Sequence, residues 1–184
     1  VVTGTGAGTA HISYTIVATG CSRNVTMTVN PTPAPITGSP YICNGSPRTL
    51  SDSYPGGIWS SATPSVATID SLTGIVSPVS FGTSVIHYTL PFTGCYVSKT
   101  VTVSPLPNVY TVTGGGNYCA GGNGVPVGLS GSQLGVSYVV YYGPSGTGYV
   151  AGTGSAVSFG LMTVAGLYTV QATNAVTGCK RDMA

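Results

Sequence analysis

The fold is decided by a stretch that the sequence contains twice. Residues 8–33 read GTAHISYTIVATGCSRNVTMTVNPTP, and residues 82–107 read GTSVIHYTLPFTGCYVSKTVTVSPLP. The two stretches are aligned without a gap, and half of their positions are identical. A constant offset of this kind marks tandem modules. Because Thr-Gly-Cys occurs a third time at residues 177–179, the sequence predicts consecutive copies of one structural unit.

Within both copies, apolar and polar residues alternate with a period of two. The pattern is clearest at residues 12–16 and 86–90, where Ile, Tyr and Leu alternate with His, Ser and Thr. Such alternation is typical of half-buried antiparallel strands. Turn-forming Gly and Pro residues interrupt the chain every 8–12 residues, and no stretch has a helical period. The pattern predicts an all-β protein built from β-sandwiches.

Proline pairs mark the boundaries between modules. Pro31 and Pro33 close the first copy of the repeat, as Pro105 and Pro107 close the second. The predicted modules are therefore residues 1–33 (the C-terminal half of a module), 34–106 (a complete module) and 107–184 (a module that lacks the end of its final strand), here called the first, second and third repeats. Since proline restricts φ and removes a donor, these linkers are short and semi-rigid, which predicts an extended rod.

The composition excludes several classes of function. Only 4% of the residues are charged, there is no Glu, and the formal net charge is +2, so the basic surface that binds nucleic acid is missing. No run of 18 or more apolar residues could cross a membrane as a helix. A neutral surface of Thr, Ser, Gly, Asn and Tyr is typical of extracellular material.

The repeat also predicts how the five cysteines are used. Each complete module carries one early cysteine and one in Thr-Gly-Cys, which predicts disulfides Cys43–Cys95 and Cys119–Cys179 and leaves Cys21 unpaired within the chain. Disulfides of this kind form in oxidising compartments. Reduced core thiols are the alternative. A metal site is the weakest reading, because no CxxC spacing or His cluster accompanies the cysteines.

The inventory of polar residues argues against catalysis. The only carboxylates are three dispersed Asp side chains, too few for a glycosidase pair or a calcium cage. We expect Asp70 to cap its own turn, and both His11 and His87 fall on outward strand faces. The Gly-rich stretches lack the Lys-Ser/Thr of a phosphate loop. We therefore predict no catalytic, cofactor-binding or metal-binding residues and no cofactor.

The second repeat resembles a known family. Residues 59–76 read WSSATPSVATIDSLTGIV and are followed by Gly82-Thr83, Tyr88 and Thr93-Gly94-Cys95, which resembles the bacterial immunoglobulin-like group 2 domains. Residues 1–33 are similar to the last half of that domain. The third repeat, with its NYCAGGNG and ATNAVTGC segments, is similar to Ig-like repeats of giant surface proteins of Bacteroidota, but it lacks the Trp and the SVATID segment.

The resemblance implies a secreted, cell-surface location and a spacer or adhesive role without catalysis. The spacing of Trp59 between Cys43 and Cys95 separately predicts a core Trp packed on an inter-sheet disulfide, as in immunoglobulin sandwiches, and alternation along the strand places Tyr88 in the core. Ser71, in Asp70-Ser71-Leu72, matches the O-glycosylation pattern of Bacteroidota. Asn24 begins an N-glycosylation sequon.

The sequence thus predicts a structural or adhesive repeat segment of an extracellular filament or adhesin stalk. Its expected partners are further repeats of the same polypeptide or identical chains placed end to end, with strand addition as one route for the latter. The alternative function is a carbohydrate-binding accessory module of a secreted enzyme, in which Tyr141 and Tyr142 would provide the aromatic contact to surface glycans. Neither reading involves nucleic acid or membrane insertion.

Overall fold

The structure, a computed structural model that describes residues 1–184, is all-β. It contains sixteen strands and no helix. The strands are β1 Gly8–Thr15, β2 Ser22–Val29, β3 Tyr41–Cys43, β4 Arg48–Thr49, β5 Ile58–Ser61, β6 Ala67–Ile69, β7 Ile75–Pro78, β8 Gly82–Thr89, β9 Tyr96–Ser104, β10 Val112–Gly114, β11 Val125–Leu129, β12 Val136–Tyr142, β13 Ser145–Ala151, β14 Val157–Met162, β15 Tyr168–Asn174 and β16 Lys180–Asp182. The structure therefore has no helix that is long and apolar enough to cross a membrane.

The first repeat forms one hairpin. Strands β1 and β2 pair antiparallel from Gly8 opposite Val29 to Thr15 opposite Ser22, and they pair with no other strand. Their apolar side chains are exposed as a result: Tyr14 is 73% exposed, whereas its repeat equivalent Tyr88 is 6% exposed. The same sequence pattern is therefore present with and without a core to bury it.

The second repeat contains two sheets that share one core. The four-stranded sheet has the order β3-β9-β8-β5, and the three-stranded sheet has the order β4-β7-β6. All pairs are antiparallel except β3 with β9, which is parallel. Both sheets contribute to the core, which contains Ile36, Ile42, Leu50, Trp59, Ala67, Val76, Ile86, Tyr88, Val101 and Val103.

Trp59 and Tyr88 lie at the centre of this core. Their rings are 4.6 Å apart between centroids, and they occupy directly opposite positions on β5 and β8. The Tyr88 hydroxyl donates a hydrogen bond to the carbonyl of Tyr54 (2.7 Å) and accepts one from the N–H of Gly57 (2.9 Å). A buried tyrosine needs such partners, and here they attach the 54–57 loop to the sheet.

The third repeat has a similar division into two sheets. One has the order β10-β11-β14 and the other has the order β13-β12-β15-β16. Their shared core consists of Val127, Leu129, Val136, Tyr138, Val140, Val170 and Ala172. Tyr138 is fully buried, and its hydroxyl accepts a hydrogen bond from the N–H of Gln133 (2.9 Å). Desolvation on burial raises the pKa of Tyr138 above its usual value.

Four hairpin turns containing Thr-Gly have the same geometry. These Thr-Gly hairpins span residues 16–21, 70–75, 90–95 and 174–179. In each, the first residue's N–H donates to the carbonyl of the sixth, and the glycine N–H donates back to the carbonyl of the first. The glycine φ is 71° or 72° in all four, a left-handed conformation that glycine adopts without strain. The motif therefore specifies one turn wherever it occurs.

The disulfide differs from both predicted pairings. Cys43 is bonded to Cys179, with their Cα atoms 5.5 Å apart, while Cys21, Cys95 and Cys119 are free thiols. The predicted bridges Cys43–Cys95 and Cys119–Cys179 are wrong. It follows that the packing of Trp59 on an intramodular disulfide is wrong as well.

The reason lies in the length of strand β9. Cys43 pairs with Ser104 at the C-terminal end of β9, whereas Cys95 immediately precedes Tyr96 at its start. At about 3.3 Å per residue, these ends lie roughly 30 Å apart, and a disulfide needs Cα atoms within about 7 Å. In the third repeat, Cys179 follows the end of β15, while Tyr118, next to Cys119, lines a groove with Tyr168 at the start of β15.

The buried hydroxyl of Tyr88 gives a first prediction. Replacing it (Tyr88→Phe) leaves the Gly57 N–H and the Tyr54 carbonyl without their partner, so we expect a loss of about 1–3 kcal/mol in the free energy of unfolding. Tyr14→Phe is the matched control, because Tyr14 occupies the equivalent position but is exposed. Denaturant titration of both variants measures the effect, and an equal change in the two would contradict the assignment.

Candidate functional site

The disulfide that joins the second and third repeats, here called the junction cystine, is the most distinctive site in the molecule. Cys43 ends strand β3, and the N–H of the next residue, Asn44, donates to the carbonyl of Ser104 (3.0 Å). Cys179 ends the Thr-Gly hairpin that connects β15 to β16. Both sulfur-bearing residues are buried, at 5% and 0% exposure. The bridge therefore connects the end where the chain leaves the second repeat (its exit end) to the end where the chain enters the third repeat (its entry end).

The proline linker packs beside this bridge. Pro107 is fully buried, and its carbonyl accepts a hydrogen bond from Nη1 of Arg181 (3.4 Å). The N–H of Asn108 donates to the side-chain oxygen of Gln133 (3.2 Å). The two repeats are thus joined by the backbone, by a disulfide and by two hydrogen bonds that tie the linker to the third repeat. Two covalent connections restrict rotation at the junction far more than one linker does.

The junction between the first and second repeats has the same linker arrangement. Pro33, the equivalent of Pro107, is buried, and the N–H of the following Ala34 donates to Oδ1 of Asp52 (3.3 Å). The same Asp52 oxygen accepts from the N–H of Tyr54 (2.7 Å). Each linker is therefore held by the same device, a backbone N–H bonded to a loop side chain of the repeat that follows.

The tyrosines proposed as an aromatic contact do not form one platform. Tyr142 is 37% exposed, its hydroxyl donates to the carbonyl of Ala165 (3.2 Å), and its ring lies 5.4 Å from that of Tyr168. It lines a shallow groove of about 660 Å³. Tyr141 is half-buried and lines an adjacent groove with Gln171 and Asp182. The two side chains line adjacent grooves, which share Gly143, Pro144 and Thr169.

The two histidines lie in different repeats, and each contacts a neighbouring strand. His11 shares a hydrogen bond with the Thr26 hydroxyl (3.0 Å) on the first hairpin. His87 is half-buried and packs edge-on against Tyr96, with ring centroids 5.4 Å apart. No three His, Cys, Asp or Glu side chains converge in a way that could hold a metal ion.

The candidate modification sites lie on the surface. Asn24 is exposed in the middle of β2, opposite Ser13. Ser71 is exposed in the second-repeat Thr-Gly hairpin, where its carbonyl accepts a hydrogen bond from the N–H of Trp59 (3.0 Å). Modification of Ser71 stays a prediction, as does that of Asn24.

Asp70 stabilises the turn that presents Ser71. Its Oδ1 accepts hydrogen bonds from the Thr73 N–H (2.7 Å), the Thr73 hydroxyl (2.8 Å) and the Leu72 N–H (3.0 Å). The bonds from Thr73, and then that from Leu72, hold the pKa of the Asp70 carboxyl below its usual value. The carboxylate is thus a local cap, as its position in the turn predicts.

Comparison with known proteins gives only distant structural likenesses. No family model and no curated protein matches the sequence. Among solved structures, the chain is similar to a human OSCAR ligand-binding domain, with a TM-score of 0.38, 14% identity and coverage of 84% of this chain and 96% of that one. It is also similar to domains 1–6 of the surface layer protein SbsC, with a TM-score of 0.35 and 15% identity; that match covers 97% of this chain and 35% of the other.

The Asp70 cap predicts a pH dependence. Because the pKa of Asp70 is lower in the folded state, its contribution to stability is complete above the unfolded value of about 3.9. That contribution disappears as the pH falls through the lower, folded-state pKa. We expect Asp70→Asn to lower Tm at pH 7, and the difference in Tm to shrink as the pH falls below about 3.9. Thermal melts across this range measure it, and a difference in Tm that is constant with pH would contradict the assignment.

Removing the junction cystine predicts a loss of stability. The bridge closes a sequence separation of 136 residues, for which the chain-entropy model gives about 5 kcal/mol. We expect Cys43→Ser with Cys179→Ser to lower Tm markedly, whereas Cys21→Ser, at an exposed free thiol, leaves it unchanged. Calorimetry of the three proteins measures the effect. Equal melting of the double variant and the parent would show that the bridge does not form.

Proposed function

We propose that this protein is a load-bearing extracellular spacer: a rod of Ig-like β-sandwich modules that belongs to a surface filament or adhesin stalk. The observation that carries the proposal is the junction cystine, which joins Cys43 of the second repeat to Cys179 of the third. A disulfide between modules limits how far the chain extends when its ends are pulled apart.

The bridge provides a short covalent path for tension. Force applied to the two ends of the chain passes along the backbone to Cys43, across the disulfide, and onward from Cys179. The intervening segment, which includes nearly all of both cores, lies outside this path. Even if a core unfolds, the residues between the two cysteines add no length to the molecule.

The hydrogen bonds between β3 and β9 resist tension when the disulfide is reduced. Strand β3 lies near the start of the second repeat and pairs in parallel with the end of β9, with Tyr41 opposite Thr102 and Cys43 opposite Ser104. When the disulfide is reduced, the force passes through β9 instead, and tension pulls β3 toward its N-terminus and β9 toward its C-terminus. The bonds between them are therefore loaded in shear, so that they must break together rather than one after another.

The surface chemistry supports an extracellular location for the rod. A disulfide persists in oxidising surroundings, and a chain with 4% charged residues depends little on ionic interactions that salt screens. Further repeats of the same type are the partners that we propose. The Tyr142 hydroxyl is bonded within its own repeat, which favours a structural role for this tyrosine over a sugar-binding platform.

Single-molecule pulling on the full chain by its ends tests this function. Reduction of the junction cystine releases 136 residues of separation, so the unfolded contour length is expected to increase by about 490 Å at 3.6 Å per residue. The Cys43→Ser variant should reach the longer contour without reductant, and Cys21→Ser should behave like the parent. Full extension of the oxidised parent chain would contradict the load-bearing role of the bridge.

A further inference from the structure

Two of the free cysteines occupy the same turn as Cys179. Cys21, Cys95 and Cys179 each end a Thr-Gly hairpin, and in each the cysteine carbonyl accepts the N–H of the residue five positions earlier, at 2.9, 2.9 and 2.8 Å. The turns agree in hydrogen bonding and in glycine φ. Cys21 and Cys95 are therefore equivalent in backbone geometry to a cysteine that is already bridged.

The third free cysteine occupies the same turn as Cys43. The Cys43 carbonyl accepts the N–H of Ser46, and the Cys119 carbonyl accepts the N–H of Gly122, both at 2.9 Å. The residue two positions after each cysteine is a left-handed glycine, Gly45 with φ 77° and Gly121 with φ 80°. We call these turns, residues 43–46 and 119–122, the early-cysteine turns.

The two kinds of turn lie at opposite ends of a module. Thr89 pairs with both Tyr96 and Ile58, so Cys95 lies near the start of β5. This is the side of the 54–57 loop and of Asp52, which accepts the N–H of Ala34 just after the 31–33 linker. Cys95 is thus at the entry end of the second repeat, as Cys179 is at the entry end of the third. Early-cysteine turns occupy the exit ends, where Cys43 lies beside Ser104.

We propose that Cys21, Cys95 and Cys119 are halves of further junction cystines. In each, the early cysteine of one module bonds the Thr-Gly-Cys cysteine of the next module in the same polypeptide. Cys119 then pairs with the module that follows the third repeat, while Cys21 and Cys95 pair with early cysteines of the modules preceding theirs. This deepens the proposed function, on which it rests, because successive bridges overlap along the chain and every module is covalently joined to both neighbours.

Each bridge forms by exchange with a disulfide oxidant such as oxidised glutathione. One cysteine thiolate attacks the oxidant, forms a mixed disulfide and expels one thiolate. The second cysteine thiolate then attacks the protein sulfur of the mixed disulfide and expels the other. Two electrons pass to the oxidant, and the two protons lost by the cysteines are taken up by the two thiols that leave.

An extended chain tests the pairing of Cys119. Ala172 pairs with Arg181 in the third repeat, as Tyr88 pairs with Val97 in the second. In this alignment Ala184 corresponds to Thr100. A second copy of residues 101–184 added after Ala184 therefore continues the repeat in register. The second copy carries Cys119→Ser. After refolding with oxidised glutathione and blocking of free thiols, the protein is digested with chymotrypsin without reduction and analysed by mass spectrometry.

The expected result is that Cys43 and Cys119 are each linked to a peptide containing Cys179, while Cys21 and Cys95 are blocked thiols. A further Cys119→Ser substitution in the first copy is the matched control, and it should produce one additional blocked Thr-Gly-Cys cysteine. Linkage of Cys43 to Cys95, or a blocked Cys119 beside an added copy whose amides are protected from hydrogen exchange, would overturn the proposal.

The unextended chain provides a second measurement that does not require the added copy to fold. At high concentration with oxidised glutathione, head-to-tail copies bring Cys119 to Cys21, and disulfide-linked oligomers are expected that Cys119→Ser or Cys21→Ser removes. Failure of Cys119 to bridge in both proteins overturns the proposal. The proposed function would survive that result, because the pulling experiment depends only on Cys43 and Cys179.

Discussion

The nine-residue length of strand β9 is the constraint on which the covalent organisation depends. An extended strand of that length separates the two cysteine turns of a module by about 30 Å, with Cys43 beside its last residue and Cys95 before its first. No side-chain rotation can bring such positions within bonding distance. A disulfide that respects this geometry must join two modules, as Cys43–Cys179 does.

The uniform turns make that geometry repeat along the chain. A glycine in the left-handed conformation and a reciprocal pair of backbone hydrogen bonds define the Thr-Gly hairpin at residues 16–21, 70–75, 90–95 and 174–179. Three of these turns place a cysteine at the entry end of a module. The fourth has Ile75 at the cysteine position, and the carboxylate of its first residue, Asp70, accepts the turn's own N–H groups. The 174–179 hairpin combines the two, because Oδ1 of Asn174 accepts the N–H groups of Val176 and Thr177 and Cys179 is bridged.

Several features were accessible from residues alone, because they follow from local rules. Alternation with a period of two identifies strands such as β8 and β9, and Asp70 is recognisable as a turn cap from its position before Thr-Gly. The placement of Trp59 in the core followed from its spacing to Cys43 and Cys95 and that of Tyr88 from strand alternation, and both side chains are buried in the structure. The contacts of the β12 tyrosines could not be predicted in the same way. Alternation along the strand places Tyr141 and Tyr142 on opposite faces, but it does not show that the Tyr142 hydroxyl donates to the carbonyl of Ala165.

The sequence by itself determined the strands, the turns and the equivalence of the two kinds of cysteine, since these depend on residues close together in the chain. Only the tertiary structure decided which cysteines meet, because pairing depends on which ends of different sheets lie together across a linker. It also decided burial: Tyr14 and Tyr88 share one sequence context, yet only Tyr88 has a second sheet packed over it. A repeated pattern specifies a surface that can be buried, and the neighbouring strands determine whether it is.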